Sequence, residues 1–168
     1  KIFLQASGED GGERRLLRVE AASGRIEWSV SRPGKSAHAH KKNSLASSTP
    51  AADAERVTVI VWDGADVWVV GYDHGGKQLW EHKLGGYVSQ HGVGMSPVVH
   101  DGLVYVNYDQ DGAAELVALD AKSGKPVWVK KHKAFRACYS SPLIRNAGGR
   151  VEVVNASTAG VTCLLYTS

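Results

Sequence analysis

Ala118-Leu-Asp-Ala-Lys-Ser-Gly-Lys-Pro-Val-Trp128 is one of three related stretches in this chain of 168 residues. Its second half, which runs from a glycine through a basic residue to a tryptophan, recurs at Gly24–Trp28 and Gly76–Trp80. The three tryptophans are 52 and 48 residues apart. A second marker, Ser or Thr followed by proline, precedes the later units, with its proline at Pro50, Pro97 and Pro142. Two markers that keep their register over successive units indicate an internal repeat.

Each repeat contains about four runs that favour β-structure. In the best-preserved unit the runs are Ser96–His100, Leu103–Tyr108, Glu115–Asp120 and Pro126–Lys131. Valine and aromatic residues dominate these runs, and no stretch shows a sustained helical period. The runs are continuously apolar, which is typical of sheets covered on both faces. A repeat of this length made of four strands predicts an all-β fold, a β-propeller, whereas a β-sandwich would need no repeat.

The chemistry of the quoted stretch is that of a tight turn. The carboxylate of Asp120 can accept hydrogen bonds from the backbone N–H groups that follow it. Gly124 can adopt the positive φ that closes such a hairpin. The turn at Asp73 is one residue shorter and keeps its carboxylate, so we expect the same geometry there.

The same stretch closely resembles the tryptophan-docking motif of the quinoprotein propellers, which are built from pyrroloquinoline-quinone (PQQ) repeats. That family includes PQQ-dependent alcohol dehydrogenases and a non-catalytic outer-membrane assembly lipoprotein. The resemblance covers nearly the whole chain and implies four-stranded antiparallel blades. It also implies that the tryptophan lies on the outermost strand and packs on the neighbouring blade, where a small alanine leaves room. The residues that match the motif are Asp73, Gly76, Trp80, Ala118, Asp120, Gly124 and Trp128.

About three and a half blades are expected, near residues 1–30, 49–81, 96–131 and 140–162, so that residues 1–162 form a partial propeller. Residues 163–168 resemble a peptide translated from sequencing-adapter DNA, and we expect this tail to be non-native. A variant strand at a natural C-terminus is the alternative. Because a closed propeller needs at least four blades, we expect the natural protein to be longer at both ends.

Composition excludes several classes of function. A net charge of +3 is far from the basic excess of a nucleic-acid binder, and no apolar run is long enough to cross a bilayer. Cys138 and Cys163 are too few for a disulfide framework or a zinc site. No metal site is expected, because His38 and His40 lack a third ligand nearby. We interpret Asp109–Gly112 as a turn, since it lacks the glutamate that completes a calcium loop.

The candidate binding residues lie in the loops that join the outer strand of one blade to the inner strand of the next. Loops joining equivalent strands emerge on one face of a propeller, at the mouth of its central channel. Polar and cationic side chains there suit an anionic ligand or an acidic partner segment, although solvated loop residues would have the same composition. The predicted mouth residues are His38, His40, Lys42, Asn43, His91, Arg136 and Tyr139.

These features favour a non-catalytic binding or scaffolding module of an exported or cell-envelope protein, with a protein or envelope ligand as its partner. The family resemblance implies a periplasmic or other extracytoplasmic location. The alternative is a PQQ- and calcium-dependent alcohol or sugar dehydrogenase whose active-site residues lie mostly outside these 168 residues, and a sensor domain is a third option. No catalytic or cofactor-binding residue is identified, and the Cys-Cys pair usual in such dehydrogenases does not occur. Whether the protein is an enzyme stays open at this stage.

Overall fold

A computed structural model describes residues 1–165, and within them the regular elements are all β-strands in four separate antiparallel sheets. The first sheet contains β1 (Ile2–Ser7), β2 (Glu13–Val19) and β3 (Ile26–Pro33). The second contains β4 (Ala51–Ala52), β5 (Arg56–Trp62), β6 (Asp66–Asp73) and β7 (Gln78–Gly86). The third contains β8 (Val98–His100), β9 (Leu103–Gln110), β10 (Ala113–Asp120) and β11 (Pro126–Lys131). The fourth contains β12 (Leu143–Ala147), β13 (Arg150–Ser157) and β14 (Gly160–Leu165).

The sheets repeat one another in register. Trp28, Trp80 and Trp128 each lie on the last strand of a sheet, opposite Arg18, Gly71 and Ala118 respectively. In each case the pairing slips just beyond the tryptophan's partner, as at a β-bulge. The equivalence of the three positions confirms the predicted propeller of repeated antiparallel blades.

The core lies between the sheets, where their apolar faces pack together. Val57, Val59 and Tyr72 of the second sheet pack with Leu16 of the first. The second and third sheets meet through Ile60, Trp62 and their neighbours, and the third and fourth through Tyr105, Leu116 and Val153. The middle sheets are covered on both faces, which explains why their strands are continuously apolar.

Two details differ from the sequence-based expectation, and a third expectation, that residues 163–168 are non-native, stays a prediction. The sequence predicts only the end of a blade before Trp28, whereas the first sheet contains three strands, because Ile2–Ser7 pairs with β2. The turn predicted over Asp109–Gly112 is shorter: Asp109 lies within β9 and is fully buried. The adapter-like tail falls partly outside the described residues, since residues 166–168 lie beyond them, whereas Cys163 and Leu165 belong to β14.

Candidate functional site

Three loops that join one sheet to the next meet at one end of the sheets. They comprise residues 34–50, 87–97 and 132–142. Equivalent residues tie each loop to the next, because the Thr49 amide donates to Ser96 Oγ at 2.9 Å and the Ser96 amide donates to Ser141 Oγ at 3.3 Å. The Ser/Thr-Pro marker therefore fixes neighbouring loops to each other just before each inner strand begins.

A cavity of about 340 Å³ lies where these loops converge. The imidazole rings of His40 and His91 meet edge to face, with their centroids 4.9 Å apart. The ring of Tyr139 contacts His91 in the same manner at 6.0 Å, and its hydroxyl lies 2.7 Å from Ser89 Oγ. Three loops thus supply one row of rings, and the cavity is lined by His40, Lys42, Asn43, His91, Gly94 and Tyr139.

Asn43 holds the first of these loops against the second. Its amide nitrogen donates to the backbone oxygens of His91 at 2.6 Å and Val93 at 3.2 Å. The backbone amide of His40 also donates to the His91 oxygen, at 3.3 Å. Asn43 therefore positions the cavity wall as well as lining it.

A second cavity, of about 220 Å³, adjoins the first and shares His91 and Tyr139 with it. Its walls are fixed by hydrogen bonds from loop 132–142 to the two neighbouring hairpins. The Arg136 amide donates to Thr158 Oγ1 at 3.1 Å, and the Ala137 amide donates to Asp111 Oδ1 at 2.8 Å. The Arg136 side chain lines this cavity, so both cavities together carry cationic groups from different loops.

The structure thus places six of the seven predicted mouth residues around two adjoining cavities. His38 is exposed and is not among the residues that line either cavity. The binding role of all seven residues stays a prediction, because their placement alone identifies no ligand.

Sequence reasoning missed a polar cluster beneath loop 132–142. Asp109, Asn107 and Asn155 are buried between the third and fourth sheets, and His132 Nε2 lies 2.7 Å from Asp109 Oδ1. Burial raises the pKa of Asp109, while the neighbouring His132 opposes this shift. The only sequence signal for this cluster was Asp109, an acidic residue at the end of a largely apolar run, and such a residue is equally typical of a turn.

The acidic and glycine residues of the motif lie at the opposite end of the sheets, at the hairpins before each tryptophan strand, whereas Ala118 and the tryptophans lie on the strands themselves. Asp120 Oδ1 accepts hydrogen bonds from the Ser123 hydroxyl at 2.6 Å and the Ser123 amide at 2.7 Å. These bonds hold the pKa of Asp120 below its ordinary value. Gly124 has a φ of 70°, as a tight turn requires.

Trp80 connects the second sheet to such a hairpin in the third. Its indole nitrogen donates to the backbone oxygen of Ala121 at 2.9 Å. The ring lies against both Gly71 and Gly124, where an added Cβ would come within 2.3 Å of ring atoms. Glycine at these two positions is therefore what allows the ring to fit.

The described part of the chain shows no calcium site of the kind that the family resemblance implies for its enzymes. Within residues 1–165 no three His, Cys, Asp or Glu side chains are grouped so that they could hold a metal ion. Calcium prefers six to eight oxygen ligands, including carboxylates. None of the described residues that line the first cavity carries a carboxylate.

The repeated antiparallel sheets, with a tryptophan of one sheet packed against the next, define a β-propeller whose blades correspond to the sequence repeats. A family model named PQQ_2 and described as outer membrane protein assembly factor BamB matches residues 65–164. Because the match extends over more than half of the chain, the protein belongs to this family. No sequence among the curated proteins matches the chain.

Solved structures similar to the chain include two dehydrogenases and BamB. A europium-containing methanol dehydrogenase matches 79% of this chain and 23% of its own length, with 15% identity and a TM-score of 0.57. The match to the quinohemoprotein alcohol dehydrogenase ADHIIG from Pseudomonas putida HK5 covers 100% of this chain and 34% of the dehydrogenase, with 13% identity and a TM-score of 0.57. The match to BamB from Moraxella catarrhalis covers 99% of this chain and 55% of that BamB, with 17% identity and a TM-score of 0.50. At these identities the likeness shows the fold alone, and the chain spans about a quarter to just over half of these proteins.

Proposed function

We propose that this chain is part of a non-catalytic binding module of an exported or cell-envelope protein, whose loop cavities receive an acidic segment of a partner protein. The observation that carries the proposal is the pair of adjoining cavities, which gather Lys42, Arg136 and two imidazoles from three loops. Membership of a family described as an outer membrane protein assembly factor supports a partner that is itself a protein.

The charges of the site favour an acidic partner over a neutral one. Lys42 and Arg136 are both exposed, and the only carboxylate that lines either cavity within the described residues is Asp111. Asp111 already accepts a hydrogen bond from the Ala137 amide. Among residues 1–165 neither Lys42 nor Arg136 forms an ion pair, so both are available to carboxylates of a partner, and the aromatic rings offer apolar contact beside them.

Reversing the charge of Lys42 tests this proposal. In the full-length protein that contains this chain, we expect Lys42→Glu or Arg136→Glu to weaken binding of a fluorescein-labelled hexaglutamate peptide by about tenfold, since each replaces an attraction with a repulsion. Fluorescence anisotropy at two salt concentrations measures the effect, and binding of the unmodified protein should weaken as salt rises.

Lys125→Glu is the matched control, because Lys125 is exposed in a hairpin at the opposite end of the sheets. An equal loss with this variant would show that the peptide senses only net charge and would overturn the proposal. Binding of PQQ with calcium, in competition with the peptide, would favour the dehydrogenase alternative instead.

A further inference from the structure

The third and fourth sheets are joined by polar groups where the second and third are joined by apolar ones. The register makes Asn107 and Asp109 of β9 equivalent to Ile60 and Trp62 of β5. The apolar pair packs in the core between the second and third sheets. The polar pair is fully buried at the next interface along the chain. Burial of polar groups costs free energy unless they are hydrogen-bonded or paired, so the partners of these groups matter for the interface.

The cluster links β9, β13 and both ends of loop 132–142. His132 Nε2, just after β11, lies 2.7 Å from Asp109 Oδ1, and the Asn155 amide of β13 donates to Asn107 Oδ1 at 2.9 Å. The same Asn155 nitrogen is 3.5 Å from His132 Nε2. Asn107 donates in turn to Ser140 Oγ at 3.1 Å. Both ends of loop 132–142 are therefore tied to the cluster, through His132 and Ser140.

A buried carboxylate and imidazole are tolerated when they hold one proton between them, because the pair then has no net charge. Loss of that proton would leave a negative charge in the core without a cationic partner, which is strongly unfavourable. Because two groups this close titrate as a unit, the proton belongs to the pair rather than to either residue.

We propose that Asp109 and His132 form a buried proton-binding site that latches loop 132–142 across the third and fourth sheets and releases it when the pH rises. The latch itself depends only on the fold. Its effect on binding rests on the proposed function, because the same loop carries Arg136 and Tyr139 into the cavities.

Other groups around the pair modify its titration. The Tyr87 hydroxyl donates to the backbone oxygen of Asp109 at 2.9 Å, and burial raises the pKa of Tyr87, so it stays protonated. A further cavity of about 350 Å³ borders His132. Tyr108, Asp111 and Tyr139 act electrostatically on Tyr87, and Glu115, Lys131 and Lys133 line this cavity beside His132. Cys138 Sγ lies 3.6 Å from Ser140 Oγ, which accepts a hydrogen bond from Asn107.

The direction of the pH dependence follows from the raised pKa of Asp109. A group whose pKa is higher in the folded than in the unfolded protein stabilises the fold below its unfolded pKa, and this stabilisation is lost as the pH rises through the folded value. Loop 132–142 should therefore be held at low pH and loosened at high pH.

Hydrogen exchange in the full-length protein, corrected for intrinsic rates, tests the latch without any ligand. Between pH 5 and pH 9 we expect protection of residues 132–142 to fall by about tenfold or more, relative to residues 51–86 of the same molecule. Asp109→Asn should remove this pH dependence, because it leaves no carboxylate to lose the proton. Asp111→Asn, which alters an exposed carboxylate bonded to the same loop, should retain it.

If Asp109→Asn does not fold, the double variant Asp109→Leu with His132→Leu replaces it in the test. This variant makes the interface apolar, like the one between the second and third sheets. We expect it to fold and to show pH-independent protection. Protection that is independent of pH in the unmodified protein, or an unchanged pH dependence in both Asp109 variants, would overturn the latch. Hexaglutamate binding is measured in a separate experiment. If that peptide does not bind, the hydrogen-exchange result still decides whether the latch exists.

Discussion

Replacing Trp80 with alanine is expected to lower the free energy of unfolding by about 3–5 kcal/mol, which is a large share of a typical domain's stability. The indole is buried between two sheets, and its nitrogen donates to the Ala121 oxygen. No side chain at Gly71 or Gly124 can fill the space that the indole would leave. Urea unfolding of the full-length protein, followed by circular dichroism, measures the change.

Leu79→Ala is the matched control, since Leu79 is the preceding residue on β7 and is 44% exposed, compared with 8% for Trp80. We expect this variant to lose less than about 1 kcal/mol. Gly124→Ala should also lower the free energy of unfolding, because the added methyl group would clash with the indole and the φ of residue 124 is positive. Equal losses at positions 79 and 80 would show that the tryptophan does not join the sheets.

The repeat allowed the fold to be predicted from the sequence. Two markers in register gave the strand order and the equivalence of Trp80 and Trp128, and continuous apolar runs such as Val57–Trp62 indicated sheets covered on both faces. The β1 strand was missed because Gln5 and Ser7 interrupt its apolar character, and it forms through pairing with β2. Tertiary pairing can override such weak local preference.

The candidate site was less predictable. Sequence could place His40, His91 and Tyr139 in equivalent loops, because equivalent connections in a repeat emerge on one face. It could not show that their rings contact one another, or that Asn43 binds the backbone of the next loop. Asp109 was misinterpreted because its partner His132 is 23 residues away and no local pattern connects them.

The two end sheets of the described chain have open apolar faces. On the first sheet Leu4 is 47% exposed, whereas its equivalent in the third sheet, Val106, is fully buried. On the fourth sheet Val161 is 70% exposed, whereas its equivalent Leu116 is 1% exposed. In the third sheet these positions are covered by a neighbouring sheet, the second at Val106 and the fourth at Leu116, so the exposed residues mark surfaces that another sheet would cover.

We therefore expect residues 1–168, expressed alone, to self-associate or stay partly unfolded, while the full-length protein that contains them is soluble. An uncovered blade face exposes roughly several hundred Å² of apolar surface, the scale at which patches signal a missing partner. At about 25 cal/mol per Å², the lost burial amounts to on the order of 5–10 kcal/mol, comparable with the stability of a whole domain. Sedimentation velocity and a thermal melt of the isolated chain measure the outcome.

The residues on the open faces should control this association. Leu4→Lys with Val161→Lys is expected to reduce self-association sharply, because each places a charge on a face that would otherwise be buried between chains. Val88→Lys is the control, since Val88 is also exposed but lies in a loop between two sheets. A monodisperse monomer with a sharp cooperative melt would contradict the expectation, because four sheets would then be stable without any cover on the outer two.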